Sequence, residues 1–186
     1  MEWSRTLPSG GWWALTGTPG VGKSTVLRAL PPRRFGIELA DLALGFGGRR
    51  GRGRIVAVDL PRLARYLSAH RPGTPVILAG HLAHRLPVEG IFVLRCHPAV
   101  LDRRLAARGD AAAARSENFA CEAIDLVAAQ ARARGRPVLE VDTTRRSPAS
   151  VAARLDRALA GGPVAPDRVD WLSEAAVTAR LGGGGG

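Results

Sequence analysis

Cysteine is scarce in this sequence, and its scarcity excludes two kinds of scaffold. The 186 residues include 2 cysteines, Cys96 and Cys121, with no C-x-x-C pair and no histidines at a matching spacing. Disulfide-rich domains and structural zinc sites both depend on closely spaced cysteines. The sequence therefore supports neither a disulfide framework nor a structural zinc site.

Long apolar runs are absent as well. No apolar stretch approaches the roughly 18 residues that a membrane-spanning helix needs, and residues 1–10 lack the continuous apolar segment of a signal peptide. We therefore expect a cytoplasmic protein that does not interact with a membrane.

Acidic residues are outnumbered by basic ones. The chain has 16 acidic and 27 basic residues, among which Lys23 is the only lysine, and its net charge is +11. Such an excess favours polyanionic partners such as nucleotides, RNA or an RNA-rich particle. Because 46% of the residues are hydrophobic, we also expect the chain to fold around a core, as one domain.

Short apolar runs alternate with helical patterns along most of the chain. The apolar runs, which predict strands, lie at residues 11–16, 55–58, 75–79, 91–95 and 137–141. The helical patterns lie at residues 24–30, 61–69, 98–107, 116–134 and 148–160. Apolar strands that alternate with helices are typical of a parallel sheet covered on both faces. We therefore predict a three-layer α/β domain.

Residues 17–24 read G-T-P-G-V-G-K-S and match the phosphate-binding pattern G-x-x-x-x-G-K-[ST] of P-loop NTPases. The glycines let the backbone curl, so that successive N–H groups point at phosphate oxygens. Lys23 would add a charge at the β- and γ-phosphates, and the Ser24 hydroxyl would bind Mg²⁺. The predicted phosphate contacts are Gly17, Gly20, Val21, Gly22, Lys23, Ser24 and Thr25.

The neighbouring sequence strengthens this motif, because an apolar strand precedes it and a helical pattern follows. A chain of this composition would produce the pattern by chance about once in a thousand sequences. The alternative is an ordinary glycine turn that leads into a helix. We predict that the chain binds ATP with Mg²⁺; the motif alone does not separate kinases from GTPases or motor ATPases.

The loop and several short segments after it occur in an order and at a spacing that resemble one protein family. These segments lie at residues 17–25, 79–81 (A-G-H), 93–95, 101–105 (L-D-R-R-L), 108–109, 117–118, 122, 141–144 (V-D-T-T) and 169–171. Together they resemble the adenylate kinase isoenzyme six family, whose members are nucleoside monophosphate kinases and ATPases linked to maturation of the small ribosomal subunit. The resemblance covers about residues 12–172.

This resemblance implies a single adenylate-kinase-like domain over residues 1–172, with a five-stranded parallel sheet and helices on both faces. A segment at about residues 38–58 would bind the nucleoside monophosphate, and a short lid at about 107–117 would close over ATP. Residues 173–186 would form a C-terminal tail, in which the glycines of 182–186 are disordered.

The resemblance also implies two catalytic residues besides Lys23. Arg108 matches the lid arginine that contacts ATP, where a cation would stabilise the charge of the transferred phosphoryl group. Alternatively, Arg108 is one more solvated arginine of its helix. His81 matches a histidine near the phosphates and the metal. It would orient the attacking water or acceptor, or hold a loop through a hydrogen bond.

Some positions depart from the family's pattern. Where the family has a metal-binding acidic residue two positions before the histidine, this chain has Ala79. Mg²⁺ would then be held by Ser24 and water alone, or by another carboxylate. Asp59 is either that metal partner or a helix N-cap. In the lid Ala114 replaces a basic residue, and Arg115 stands beside it as a substitute.

Residues 45–54, G-F-G-G-R-R-G-R-G-R, form a basic glycine-rich segment without an apolar period, which predicts a mobile loop. Three roles are open for its arginines: gripping the phosphate of a nucleoside monophosphate, contacting ribosomal RNA, or remaining solvated. RNA binding by several arginines would weaken steeply with salt. The arginines in question are Arg49, Arg50, Arg52 and Arg54.

These observations leave three candidate functions. The first is an adenylate kinase of broad specificity, which catalyses ATP + AMP = 2 ADP and has ATPase activity. The second is an assembly factor whose ATPase cycle switches its hold on a ribosomal particle, with a small-subunit protein of the S11 type and ribosomal RNA as partners. The third is a small-metabolite kinase on the same fold, such as a shikimate or gluconate kinase.

Overall fold

The computed structural model describes residues 10–51, 54–57 and 59–182; of residues 49–51 and 54–57 it describes the backbone alone. The described strands are β1 Gly11–Thr16, β2 Phe35–Glu38, β3 Arg49–Gly51, β4 Arg54–Ala57, β5 Pro75–Ala79, β6 Gly90–Arg95 and β7 Val138–Asp142. The main sheet is five-stranded and parallel, with the strand order β2-β5-β1-β6-β7.

Helices connect these strands. They are α1 Lys23–Arg28, α2 Leu39–Leu44, α3 Leu60–Ala69, α4 Pro98–Ala107, α5 Ala112–Ala123, α6 Leu126–Arg132, α7 Pro148–Leu159 and α8 Ala175–Gly182. Short 3₁₀ turns occur at Ala83–Arg85 and Trp171–Ser173. Of the helices in the described ranges, none is long and apolar enough to cross a membrane.

The core has two parts, one on each face of the sheet. One apolar cluster packs α1, α4 and α7 against the first face, and a second packs α2, α3 and α6 against the other. Successive side chains of a strand point to opposite faces, so in β1 Trp13 and Leu15 enter the first cluster while Ala14 enters the second. The predicted three-layer α/β fold is confirmed.

The parallel arrangement places the carboxyl ends of all five main strands at one edge of the sheet. At that edge Leu15 of β1 is in register with Ala79 of β5, and Ala79 is in register with Glu38 of β2. Ligands of open α/β sheets bind in the crevice outside the carboxyl ends of the strands. The loops that follow β1, β2 and β5 therefore surround the candidate site.

The edge strand of the main sheet differs from the prediction. Residues 55–58 were expected to join the parallel sheet, but β4 pairs antiparallel with β3 in a separate ladder, and Val58 lies outside the described residues. The edge position is taken by β2, whose Phe35 is 64% exposed. An edge strand buries less of its surface than a central one, so β2 lacks the continuous apolar run that the prediction relied on.

The basic segment 45–54 is in part a hairpin and not the predicted loop. β3 and β4 form its two sides, with a register irregularity between Arg49 and Arg50. Arg52 and Gly53 lie outside the described residues. The three roles considered for the arginines of this segment stay predictions.

The helix predicted over residues 116–134 is wrong in its extent, because the chain forms two helices there. α5 begins earlier, at Ala112, and ends before Asp125, whose φ of 59° lies in the left-handed region. That conformation cannot continue a right-handed helix. Asp125 also pairs with Arg95 at the end of β6, so an ion pair to the sheet holds the break between α5 and α6 in place.

Asp59 acts as a helix cap. Its side chain accepts a 2.9 Å hydrogen bond from the backbone N–H of Arg62 at the start of α3, with Pro61 in the first turn. Aspartate is among the preferred N-cap residues. Of the two predicted roles of Asp59, the capping role is the one that the geometry supports.

The predicted C-terminal tail contains an ordered helix. Val177 of α8 is buried against Phe119 and Ala123 of α5, and Arg180 lies over the Phe119 ring with its Cζ 4.1 Å from the ring centroid. Gly182 is the last residue of α8 and not the first of a disordered run, and residues 183–186 lie outside the described residues.

Candidate nucleotide-binding site

Three glycines give the loop after β1 its curled shape. Gly17, Gly20 and Gly22 have φ angles of 136°, 94° and 106°, which residues with a Cβ rarely adopt. A Cβ at Gly17 would lie 2.3 Å from the carbonyl oxygen of Leu94, and one at Gly20 would lie 2.6 Å from Leu105 Cδ2. The loop is therefore pressed against β6 and α4 and cannot accept larger residues without rearrangement.

The curled loop leaves a row of backbone N–H groups available to bind a ligand. Within the described residues, the N–H of Val21 donates to the carbonyl oxygen of Thr18 at 3.3 Å, and the first intrahelical bond of α1 runs from Val26 to Gly22 at 2.9 Å. In the same part of the chain, no protein acceptor is bound by the N–H groups of Gly20, Gly22, Lys23, Ser24 and Thr25. Such a concave row of N–H groups binds anions.

Lys23 rests on the carbonyl groups of the same loop. Its Nζ donates to the carbonyl oxygen of Gly17 at 2.7 Å and of Thr18 at 3.0 Å. Burial lowers the pKa of Lys23 to about 8, although the nearby carboxylates of Glu122 and Glu38 act in the opposite direction. An incoming phosphate group would offer this ammonium a stronger, charged acceptor in place of the two carbonyls.

A cavity of about 560 Å³ lies on one side of the loop. Its walls come from the loop, the start of α1, the ends of β2 and β5, and the last turns of α4. The structure thus brings the predicted His81 and Arg108 together with the predicted loop residues. The polar and charged side chains that line the cavity are Lys23, Ser24, Thr25, Glu38, His81, Arg104 and Arg108.

His81 follows β5 and contributes a neutral ring to this cavity. Although His81 is exposed, partial desolvation at the cavity and the charges of Lys23 and Arg85 lower its pKa below the ordinary value. Its backbone carbonyl accepts a 3.1 Å hydrogen bond from Thr16 Oγ1, which fixes the chain after the strand. A neutral imidazole can donate one hydrogen bond and accept another.

The other histidines near this edge have structural contacts. His84 is buried, and its Nδ1 lies 3.0 Å from Thr16 Oγ1. His97 caps α4, where its Nδ1 accepts a 3.2 Å hydrogen bond from the N–H of Ala99, and its Nε2 lies 2.9 Å from Glu174 Oε2. Neither histidine lines the larger cavity.

Arg108 lies where α4 ends. Its Nε donates to Asp110 Oδ1 at 2.9 Å, and this hydrogen bond raises the pKa of Arg108, so the side chain is a permanent cation. Arg104, one turn earlier, lies on the same face of the helix and lines the same cavity. The predicted lid, residues 107–117, spans the end of α4, a short connection and the first half of α5. Within it Arg115 is bonded to Asp102 at 2.8 Å.

A second cavity, of about 290 Å³, lies on the other side of the loop. Arg104 borders it and donates to the carbonyl oxygen of Thr143 at 2.9 Å. The Thr143 hydroxyl lies 2.9 Å from the carbonyl oxygen of Val21, so the loop after β7 is tied to the phosphate loop. Aliphatic walls beside an arginine suit the flat face and polar edge of a nucleobase. The aliphatic residues are Val21, Val26 and Val151.

A buried carboxylate forms a hydrogen bond with the phosphate loop on the side that faces the protein interior. Glu122 of α5 is 2% exposed, and its Oε2 accepts a 2.5 Å hydrogen bond from Thr18 Oγ1. Its Oε1 accepts from Arg95 Nε at 2.8 Å and from the N–H of Cys96 at 3.1 Å. Arg95 is itself 1% exposed and also pairs with Asp125 and with Glu140. A fully paired network of this kind fixes the position of the groups that it joins.

Several site residues were not predicted from the sequence. Arg104 lies four positions before the predicted Arg108, so its place on the same helix face could have been found from the spacing. The positions of Glu38, Thr143 and Glu122 depend on strand register and on contacts between distant segments, which no local pattern reveals.

The residues present fit a magnesium ion that arrives with a nucleotide. No group of three or more histidine, cysteine or acidic side chains that could hold a metal occurs in the described part of the chain. Mg²⁺ bound to nucleotides needs only one or two protein oxygens beside the phosphates and water. The hydroxyl of Ser24 and the carboxylate of Glu38 line the same cavity, whereas Ala79 offers no oxygen there.

Comparison with known proteins agrees with this geometry. A sequence model of the family described as AAA domain matches residues 14–125, more than half of the chain. A protein of Thermococcus onnurineus named "Putative adenylate kinase" is 35% identical over 165 residues, which cover 87% of this chain and 91% of that protein. A protein of the same name from Halobacterium salinarum is 40% identical over 157 residues, covering 80% and 89% of the two chains.

The fold also has a counterpart among solved structures. The structure of a shikimate kinase from Bacteroides thetaiotaomicron has a TM-score of 0.50, covers 81% of this chain and 99% of that chain, and is 20% identical. At this identity the likeness concerns the fold alone. The family model and the archaeal relatives show more than the fold. They show that the chain belongs to the AAA-domain family of P-loop proteins.

Proposed function

We propose that the protein is a nucleoside monophosphate kinase of the adenylate kinase type, which transfers the γ-phosphoryl group of ATP to AMP or a related acceptor in the cytoplasm. The observation that carries the proposal is the position of the phosphate loop between two cavities of about 560 and 290 Å³. A kinase must hold a donor and an acceptor on either side of the transferred group. The names of the archaeal relatives support the same assignment.

The smaller cavity suits the nucleoside of ATP. It continues directly from the phosphate loop through Gly20, Gly22 and Thr25, and Arg104 and Arg146 border it. With the base there, the β- and γ-phosphates would lie along the free amides and next to Lys23. The γ-phosphate would then face the larger cavity.

The larger cavity suits the acceptor. An oxygen of the acceptor's phosphate attacks the γ-phosphorus, the bond to the β–γ bridging oxygen breaks, and two nucleoside diphosphates result. Because the nucleophile is already an anion, the reaction needs no strong general base. Lys23 and Arg108 stabilise the negative charge on the transferred group. The neutral ring of His81 positions the acceptor or a water molecule by a hydrogen bond.

Magnesium, when bound, withdraws charge from the β- and γ-phosphate oxygens and orients them. Ser24 and an acidic residue of the larger cavity would hold it. The protein's own contribution is the fixed row of amides and cations, which is organised before the nucleotide arrives.

A coupled assay tests the proposal. Purified protein should convert ATP and AMP to ADP far faster than it hydrolyses ATP alone, and Lys23→Ala should abolish the AMP-dependent rate. A panel of acceptors that includes other nucleoside monophosphates, shikimate and gluconate identifies the substrate class. ATP hydrolysis that AMP leaves unchanged would refute the kinase function, and a rate that depends on shikimate or gluconate would favour the small-metabolite alternative.

A second function has support from two different observations. The strand that ends beside the loop offers Ala79 in place of a metal-binding acid, which favours slow chemistry, and the net charge of +11 favours a polyanionic partner. Both fit an ATPase switch that binds a small-subunit ribosomal precursor through an S11-type protein and ribosomal RNA. A weak catalyst can still act as a timed switch.

Co-sedimentation distinguishes this role. The wild-type protein should sediment with small-subunit precursors at moderate salt when ATP is bound, and should be released after hydrolysis. Binding through arginines should weaken steeply as salt rises. If the protein stays in the supernatant with either nucleotide, the ribosomal role is refuted while the kinase role is unaffected.

A further inference from the structure

β5, one of the two strands beside β1, offers no carboxylate to a cation at its carboxyl end. β5 ends at Ala79, which is 1% exposed and lines the larger cavity. On one side Ala79 is in register with Leu15 of β1, just before the loop, and on the other with Glu38 of β2. Position 79 therefore faces the place where phosphates are expected, without an oxygen ligand.

Glu38 occupies the matching position on the next strand. Neighbouring strands lie about 4.8 Å apart, and residues in register on parallel strands project from the same face. The Glu38 side chain therefore leaves the sheet on the same side as the side chain of Ala79, and it is long enough to cover the distance of one strand. It lines the same cavity as Ser24.

The Glu38 carboxylate has no structural task among the described residues. Glu38 precedes α2 but makes no side-chain cap hydrogen bond, and no other hydrogen bond or ion pair in the described ranges involves it. Its charge acts on Lys23 without an ion pair between the two. A half-buried carboxylate directed at a phosphate site would repel a polyanion unless a cation lies between them.

We propose that Glu38 supplies the carboxylate that holds the divalent cation of the nucleotide, directly or through one bound water, with Ser24 as the second protein ligand. The inference rests on the proposed nucleotide-binding function. Divalent magnesium is bound by one or two carboxylates together with phosphate oxygens and water. Glu38 meets this need from β2 in place of the carboxylate that β5 lacks.

Manganese binding tests the assignment without relying on activity. Electron paramagnetic resonance measures free Mn²⁺ during a titration of the protein saturated with a non-hydrolysable ATP analogue. Glu38→Gln keeps the shape of the side chain and removes its charge, and should weaken Mn²⁺ binding about tenfold or more. Glu89→Gln is the matched control: it removes a carboxylate at the amino end of β6, where Glu89 pairs with Arg71 at 3.0 Å, and should leave Mn²⁺ binding unchanged.

A second variant makes the test specific to this position. Adding Ala79→Asp to Glu38→Gln returns a carboxylate to the same face one strand away, and should restore most of the Mn²⁺ affinity. The melting temperature of each variant shows whether it is folded. If the double variant is folded but binds Mn²⁺ no better than Glu38→Gln, the loss of Mn²⁺ affinity is not due to the missing carboxylate at this site, and the proposal is overturned.

The remaining outcomes separate this inference from the proposed function. If Glu38→Gln binds Mn²⁺ like the wild type and binds metal-free ADP more tightly, Glu38 is only a counter-charge for Lys23, and the inference is wrong while nucleotide binding stands. If the wild type binds neither the analogue nor ADP, with or without Mn²⁺, the proposed function itself fails.

Discussion

The Thr18 hydroxyl donates a 2.5 Å hydrogen bond to Glu122 Oε2 beneath the phosphate loop, and both residues are at most 2% exposed. Through Glu122 the loop is connected to Arg95 at the end of β6. The shape of the loop therefore depends on a charged network in the interior as well as on its glycines.

Removing the Glu122 carboxylate from this network should lower the stability of the protein. In Glu122→Ala the guanidinium of Arg95 keeps Asp125 and Glu140 but loses its most buried partner. Breaking a buried ion pair from one side costs about 3–5 kcal/mol of the free energy of unfolding. Chemical denaturation measures this loss. Glu117→Ala, at an exposed position of the same helix, should change stability by no more than about 0.5 kcal/mol.

The close approach of Gly17 to the backbone of Leu94 predicts a loss of both stability and binding. A Cβ at position 17 would meet a carbonyl oxygen at 2.3 Å, and the φ of 136° is unfavourable for alanine. Gly17→Ala should therefore destabilise the protein by roughly 3 kcal/mol or more and abolish ATP binding. Gly135 also has a positive φ, of 66°, but has open space around it. Gly135→Ala should therefore lower the free energy of unfolding by only about 1–2 kcal/mol, as measured by thermal unfolding. Equal losses for the two variants would contradict the role of the contact with Leu94.

The lowered pKa of Lys23 predicts proton uptake on nucleotide binding above neutral pH. In the free protein this pKa is about 8, so Lys23 is protonated at pH 7 and mostly neutral at pH 9. Bound phosphates favour the ammonium and raise its pKa. Binding of ADP with Mg²⁺ should therefore take up close to one proton at pH 9 and almost none at pH 7, and the affinity should fall as the pH rises above 8.

Calorimetry in two buffers of different ionisation enthalpy measures this uptake. The difference in binding heat between the buffers gives the number of protons taken up. A buffer-independent binding heat at pH 9 would show that Lys23 keeps its proton in the free protein, contrary to the lowering of its pKa by burial.

The arginines in and directly after α4 should differ in their importance for the proposed phosphoryl transfer. Arg108 lines the larger cavity, whereas Arg103 is exposed and does not. Arg108→Ala removes one cation from the transferred phosphoryl group and should lower kcat/KM about 100-fold with little change in the melting temperature. Arg103→Ala should change kcat/KM less than about 2-fold. Similar effects of both substitutions would indicate that Arg108 acts only through the general charge of the helix.

How far the sequence predicted the site depended on the distance between the residues involved. The phosphate loop could be predicted because its glycines, Lys23 and Ser24 lie within eight consecutive residues, 17–24, and each has a local physical role. The position of Glu38 beside the phosphate loop could not be predicted, because β2 was not recognised as a strand. Its short sequence, F-G-I-E, contains a glycine, and its one neighbour in the sheet is β5, which follows it by more than thirty residues.

The fold was predicted where strands are central and apolar, and missed where an ion pair or an edge determined the outcome. β5 and β6 lie inside the sheet and read as continuous apolar runs, as buried parallel strands do. The break between α5 and α6 depends on Asp125 reaching Arg95, a contact between residues that are thirty positions apart. Helical periodicity alone carries no information on such a contact.

All the chemistry described above lies at the edge of the main sheet where the strands end, and the described residues at the opposite edge do not line either cavity. There Thr74, just before β5, is exposed, whereas Cys96 is buried, which raises the pKa of its thiol to about 11; Cys121 is half-buried, and desolvation also raises the pKa of its thiol. Near pH 7 a thiol-reactive fluorophore should therefore label Thr74→Cys faster than either native cysteine, at the edge of the sheet opposite the candidate site.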